Sequence, residues 1–157
     1  NFIIYLFILL FFNFLNYFYF FDNGIYLISI FTWYILIDLF NQNTNLSPYF
    51  IVVLLWYPSF ELLFSMIRKF KKQYSPMEPD TNHLHQLLFK SLKKKLKYPK
   101  NFVNSLTGLI LNFYNLLIFF LCYLKPNSTN FQMTLVILNI SVYLTAYYLL
   151  HKSLKIN

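Results

Sequence analysis

Charge is scarce in this chain. Charged residues fill 11% of the 157 positions, against roughly 25% in soluble domains. Acid is scarcest, with five Asp and Glu against 13 Lys and Arg, for a formal net charge of +8. With so few charges and 58% hydrophobic residues, the chain cannot be a soluble globular domain. Disorder is excluded too, because it needs low hydrophobicity. The lone cysteine, Cys122, lies in an apolar run, so the chain holds no disulfide framework and no Cys-based metal site. Position 1 is not Met, and neither a basic n-region nor a small-residue cleavage site follows, so no signal peptide is expected. The chain opens inside a hydrophobic run and reads as a C-terminal fragment of a longer protein. The Phe, Tyr, Asn, Ile, Leu and Lys excess suggests an AT-rich coding sequence and says little about function.

What is present is a series of apolar stretches, to be measured against a bilayer core that needs about 20 helical residues. They are Phe2 to Phe21, Ile25 to Phe40, Tyr49 to Ile67, Phe102 to Leu124 and Phe131 to Leu150. The expected fold is all-α, a polytopic membrane helical bundle with about five spans. Turn chemistry separates them at Asp22-Asn23-Gly24, at Asn41 to Pro48 and at Lys125 to Asn130. The organisation is spans one to three in 1–67, a basic loop in 68–101, spans four and five in 102–150, and a tail in 151–157.

The basic loop holds ten of the 13 cationic residues: Arg68, Lys69, Lys71, Lys72, Lys90, Lys93, Lys94, Lys95, Lys97 and Lys100. The positive-inside rule assigns it to the cytoplasm. Counting spans outward puts the Asp22 turn and the C-terminal tail on the same face. Within the loop, Leu84, Leu88, Leu92 and Leu96 recur every four residues with lysines opposite, which predicts an amphipathic helix in the membrane interface. That helix reads either as a lipid-surface anchor or as the frame of a polar site.

Few residues could carry chemistry. Asp22 lies at the mouth of a span, where an ionisable residue suggests function, although Asp-Asn-Gly is also turn chemistry. Glu61 is mid-segment, three residues after Pro58. An unpaired carboxylate there costs about 2–3 kcal/mol on insertion scales. Pro58 predicts a bend that turns Glu61 inward, either toward a neighbouring helix or toward a site. Asp38 is nearer a span end and expected to be solvated. Asp80-Thr81-Asn82-His83-Leu84-His85-Gln86 is the richest stretch, with Pro76 and Pro79 as an extended lead-in. His83 and His85 are expected near the N-terminus of the leucine helix, whose N–H groups favour anions. His-x-His alone is a weak zinc signal. Phosphate or nucleotide contact suits the positive surroundings better.

Tyr57-Pro58-Ser59-Phe60-Glu61, Arg68-Lys69, Ser75-Pro76 and Pro79 to Leu88 together resemble the C-terminal region of the polyprenyl-phosphate sugar-1-phosphate transferases. These include the undecaprenyl-phosphate N-acetylglucosamine-1-phosphate and phospho-N-acetylmuramoyl-pentapeptide transferases. The family carries P-x-x-[DE] in a membrane helix, a basic pair, and a cytoplasmic S-P-x-x-x-D-x-N-H-x-H-H loop. Here Gln86 replaces the last His. Phe21 to Ile28 resembles the family's G-D-[SNG]-G-[SA]-Y-x-[LI] stretch, with Phe21 and Ile25 in place of smaller residues. The family's upstream D-D-x-x-D and N-x-x-N-x-x-D-G motifs are absent from these 157 residues.

The resemblance implies an EC 2.7.8-type phosphoglycosyl transfer at the plasma membrane, with the His loop and C-terminus cytoplasmic. The partners it implies are a UDP-sugar, a polyprenyl phosphate such as undecaprenyl phosphate, and the lipid bilayer. It implies no nucleic acid and leaves a homodimer open. The implied cofactor is Mg²⁺, with Mn²⁺ as substitute, held by Asp22 as catalytic and metal-binding residue. Asp80, Asn82, His83, His85 and Arg68 are the implied substrate-binding residues. Two other classes remain as alternatives. A transporter or channel would line its path with Glu61, Asp38, Asn112, Asn115 and Asn139. A noncatalytic membrane subunit would show no polar convergence.

Overall fold

A computed structural model describes residues 2–15, 17, 22–71, 73, 75, 80 and 82–155, with 2, 3, 5, 6, 10, 14, 22–25 and 155 described by backbone alone. The described residues form helices and no strands, so the all-α expectation holds. The chain divides into two units, Asn1–Leu46 and Ser47–Asn157.

The first unit holds α1 (Phe2–Phe14) and α2 (Asp22–Gln42). Asp22 opens α2, so the expected Asp22 turn gives way to helix from that residue onward. Asp38 is exposed and accepts from Gln42 Nε2 at 2.7 Å, a bond along one helix face. Asn43 Nδ2 donates to Leu39 O at 2.8 Å where α2 ends. Large apolar side chains such as Phe7, Tyr26, Ile30 and Trp33 stand exposed. Phe21, Pro76 and Pro79 lie outside the described residues.

The second unit holds α3 (Pro48–Leu54), α4 (Trp56–Lys71), α5 (Leu84–Lys95), α6 (Lys100–Leu124) and α7 (Thr129–Lys155). Ser47 caps α3, its Oγ accepting from Tyr49 N at 3.3 Å, and Pro48 takes the first helical position. The expected bend is present, because α3 and α4 meet at 74°. Pro58 explains it. Its ring collides with the carbonyl four residues back, on Leu54, the last residue of α3. Gln73 takes a left-handed φ of 56° just past the end of α4, and its N–H reaches Phe70 O at 3.1 Å.

Helices α6 and α7 form an antiparallel hairpin through the Lys125–Asn130 turn. Both are long and apolar enough to cross a membrane, and the bent α3–α4 pair makes a third crossing if counted as one. At about 1.5 Å per residue, 25 residues exceed the roughly 30 Å hydrocarbon core. Helix α3 packs near the turn, and α5 packs against both α6 and α7. Leu84 and Leu87 of α5 are buried, so its leucine side is filled by protein. Lys93, Lys94 and Lys95 stay exposed. The helix stops at Lys95. Leu96, the fourth leucine of the repeat, is the extended C-cap residue.

Candidate functional site

The second half of α4 carries Glu61, Ser65 and Arg68. Their spacing of four and three places them on one face. Glu61 and Ser65 are buried. Opposite them lie Asp80, Asn82 and His83, ahead of α5.

Glu61 Oε1 takes two donors and lies beside a ring nitrogen. Leu84 N–H, the first of α5, donates at 2.9 Å. The hydroxyl of Tyr143 on α7 donates at 2.8 Å. His83 Nδ1 lies at 3.0 Å. An isolated buried carboxylate would cost several kcal/mol, and donors of this kind offset that cost. The other oxygen, Oε2, is buried without a hydrogen-bond partner among the described residues. An anion at the start of α5 is what the helix end favours. Here the carboxylate of Glu61 occupies that place at the Leu84 N–H.

Asp80 forms a second knot. Its Oδ2 is ion-paired with Arg68 Nη2 and accepts from Ser65 Oγ at 2.5 Å. Its Oδ1 accepts from Asn82 N at 2.9 Å, the bond of an Asx turn. Burial pushes the Asp80 carboxyl up, but Ser65, the Asn82 N–H and Arg68 outweigh it and hold it down to about 2. Arg68 also donates to Tyr147 OH at 3.1 Å. Its guanidinium stacks 5.4 Å from the ring centres of Phe64 and Tyr147.

Histidine 83 sits between the two knots. Its Nε2 is 4.0 Å from Asp80 Oδ2, and its ring stacks on His85 at 5.5 Å with planes 10° apart. Gln86 Oε1 accepts from His83 N at 3.2 Å, a capping-box bond. So Gln86, where the resembled pattern has His, closes the start of α5. His85 presents an exposed edge. Enclosure of the rest of its ring pushes its imidazole below the ordinary histidine range, with His83 adding to the effect and Glu61 opposing it.

The structure thus brings together Arg68, Asp80, Asn82, His83 and His85, with Glu61 beneath them. Asp22 belongs to the other unit, and its side chain is outside the described residues. Three contributors went unread in the sequence: Ser65, Tyr143 and Tyr147. The two tyrosines are four apart on α7, with His151 four further on and in ring contact with Tyr147 at 5.9 Å. That spacing was the available signal, but it was masked by 14 tyrosines in an aromatic-rich chain. Among the described residues no group of three or more His, Cys, Asp or Glu could hold a metal ion. The chemistry agrees: Asp80 is neutralised by Arg68 and Glu61 Oε1 is saturated by donors, so this cluster does not fit Mg²⁺. The site is a charge-paired helix start with two histidines, His83 partly exposed and His85 exposed. Comparison with protein-family models, with curated proteins and with solved structures returns no match.

Proposed function

We propose that the complete gene product transfers a sugar-1-phosphate from a UDP-sugar, a UDP-N-acetylhexosamine in the first instance, to a polyprenyl phosphate, releasing UMP. One observation carries this reading. The separate pieces of the sequence resemblance touch one another: Glu61 of the P-x-x-[DE] piece meets His83, and Arg68 of the basic pair meets Asp80. A chance string match would give no reason for these contacts.

In this reading a phosphate oxygen of the polyprenyl phosphate attacks the β-phosphorus of the donor. A new P–O bond forms, the bond to the α-phosphate bridging oxygen breaks, and UMP leaves with that oxygen. His83, His85 and Asn82 form the face that meets the nucleotide sugar. Asp80 and Arg68 hold that face on α4. The proposal includes a Mg²⁺ or Mn²⁺ ion held through Asp22. It also includes five spans in the plasma membrane, with the exposed lysines of α5 on the cytoplasmic side, where the positive-inside rule puts them. The product would serve the building of a cell-envelope polysaccharide.

The test is UMP release by the complete gene product in membranes, supplied with Mg²⁺, undecaprenyl phosphate and UDP-N-acetylglucosamine. Release that is lost in His83→Ala and in Asp22→Asn is the expected result. Folded protein that releases no UMP from any UDP-N-acetylhexosamine would sink the proposal.

A further inference from the structure

We propose that Glu61 is a positioning residue that fixes the proton and the orientation of His83, leaving Nε2 as the nitrogen open to a ligand. Its role in transfer rests on the reading above; its geometry does not. A carboxylate oxygen that already accepts from Leu84 N–H and Tyr143 OH can only accept from a third neighbour, so Nδ1 of His83 carries the hydrogen. A histidine nitrogen bound to a carboxylate in this way has its tautomer set by that bond.

The groups around the ring are consistent with this assignment. Glu61 reaches it from α4, with Tyr143 of α7 behind the carboxylate. Asp80, paired with Arg68, lies 4.0 Å from Nε2, too far for a hydrogen bond to close that nitrogen. The His85 ring lies over one face of His83, and its stacked rather than edge-on geometry leaves the in-plane lone pair of Nε2 clear. The side chain of His83 is 24% exposed, while that of Glu61 is 10% exposed. Nδ1 therefore faces Glu61, while Nε2 makes no hydrogen bond among the described residues. The bond from Leu84 N–H ties this orientation to the start of α5, so Glu61 sets the place of that helix start as well as the ring. A neutral ring held this way offers an acceptor to a hydroxyl or N–H of the donor nucleotide.

The measurement is ¹⁵N NMR of the full chain, histidine-labelled and held in lipid bilayers at about pH 8.5, well above the ordinary histidine pKa of about 6.5. The His83 signal is assigned by its loss in His83→Asn. The wild-type ring is expected to show a protonated Nδ1 and a bare Nε2. In Glu61→Ala the proton should move to Nε2, the tautomer a free imidazole prefers. In Tyr143→Phe, which removes a donor but keeps the ring packing, the Nδ1–H form should remain. A wild-type ring with its proton on Nε2, or doubly protonated at that pH, would overturn the proposal. So would a folded Glu61→Ala protein with an unchanged signal. If Glu61→Ala does not fold, the wild-type spectrum still decides. In the complete gene product, Glu61→Ala should lower kcat/KM for UMP release roughly 10- to 100-fold, the usual cost of losing a carboxylate that orients a working histidine. Absence of UMP release in wild type would remove the transfer reading and leave the tautomer result standing.

Discussion

The two ends of the α6–α7 hairpin are tied by different chemistry. At the Lys125–Asn130 turn the bonds are neutral and mostly to backbone. Gln132, fully buried, donates from Nε2 to Cys122 O at 2.8 Å and to Lys125 O at 2.9 Å. Cys122 Sγ lies 3.1 Å from Gln132 Oε1, and Ser47 N donates to Pro126 O at 3.2 Å. These bonds satisfy carbonyls that a helix end leaves open. At the other end most bonds join side chain to side chain, among Glu61, Ser65, Arg68, Asp80, His83, Tyr143 and Tyr147. Such contacts are the minority in proteins. The neutral end has a complete explanation in backbone satisfaction. The charged end does not: two carboxylates, a guanidinium and a buried tyrosine pair are a costly way to hold an apolar bundle together, because desolvation erodes what ion pairing returns. That excess is the physical reason for placing function there.

Substitutions can break this contrast. Arg68→Ala leaves Asp80 without its cation and is expected to cost about 3 kcal/mol, the lower range for breaking a buried pair. A lowered unfolding temperature in detergent and loss of UMP release would check it. Gln132→Ala leaves two carbonyls unsatisfied and should cost about 2 kcal/mol, with the kcat/KM of whatever folds unchanged. A marked kcat/KM loss in Gln132→Ala would erase the distinction between the ends.

Acid sharpens the contrast further. The Asp80 carboxyl titrates lower in the folded protein than in the unfolded chain. Its contribution is therefore full above about pH 4, the unfolded range, and is lost as pH falls through about 2. Unfolding temperatures followed from pH 6 to pH 2 should show a loss in that window. In Arg68→Gln the loss should be smaller and end at a higher pH, as one of the influences that hold the folded carboxyl down is gone. The smallest expected effect belongs to His85→Ala. With an exposed edge and a ring stacked only on His83 among the described residues, it is expected to be worth within about 0.5 kcal/mol of stability. Weaker binding of the UDP-sugar, measured by calorimetry, is expected all the same. A stability loss without a binding loss would make His85 part of the scaffold.

Much of this could be read from the residues. Hydrophobic length announced α6 and α7, since about 20 apolar residues have few other uses. Pro58 announced the bend, because its ring forbids a continuous helix wherever it falls. The buried place of Glu61 followed from that bend. The leucine repeat announced α5 but not its neighbour: a period of four marks an apolar side and cannot tell lipid from protein. The site was half legible. Asp80 to His85 stood out as an unusual string. Ser65, Tyr143 and Tyr147 did not, because serine and tyrosine on a membrane helix look alike whether they face a carboxylate or a lipid. The pairing of Arg68 with Asp80 was also hidden, since ten cations crowd one loop and no periodicity singles out one of them.

The most direct test of the account compares the two ends in one assay. UMP release from UDP-N-acetylglucosamine and undecaprenyl phosphate would be measured for the complete gene product, for His83→Ala and for Gln132→Ala. The account predicts release in wild type, none in His83→Ala, and wild-type kcat/KM in the folded fraction of Gln132→Ala. Equal release by His83→Ala and wild type, from protein shown to be folded, would contradict it.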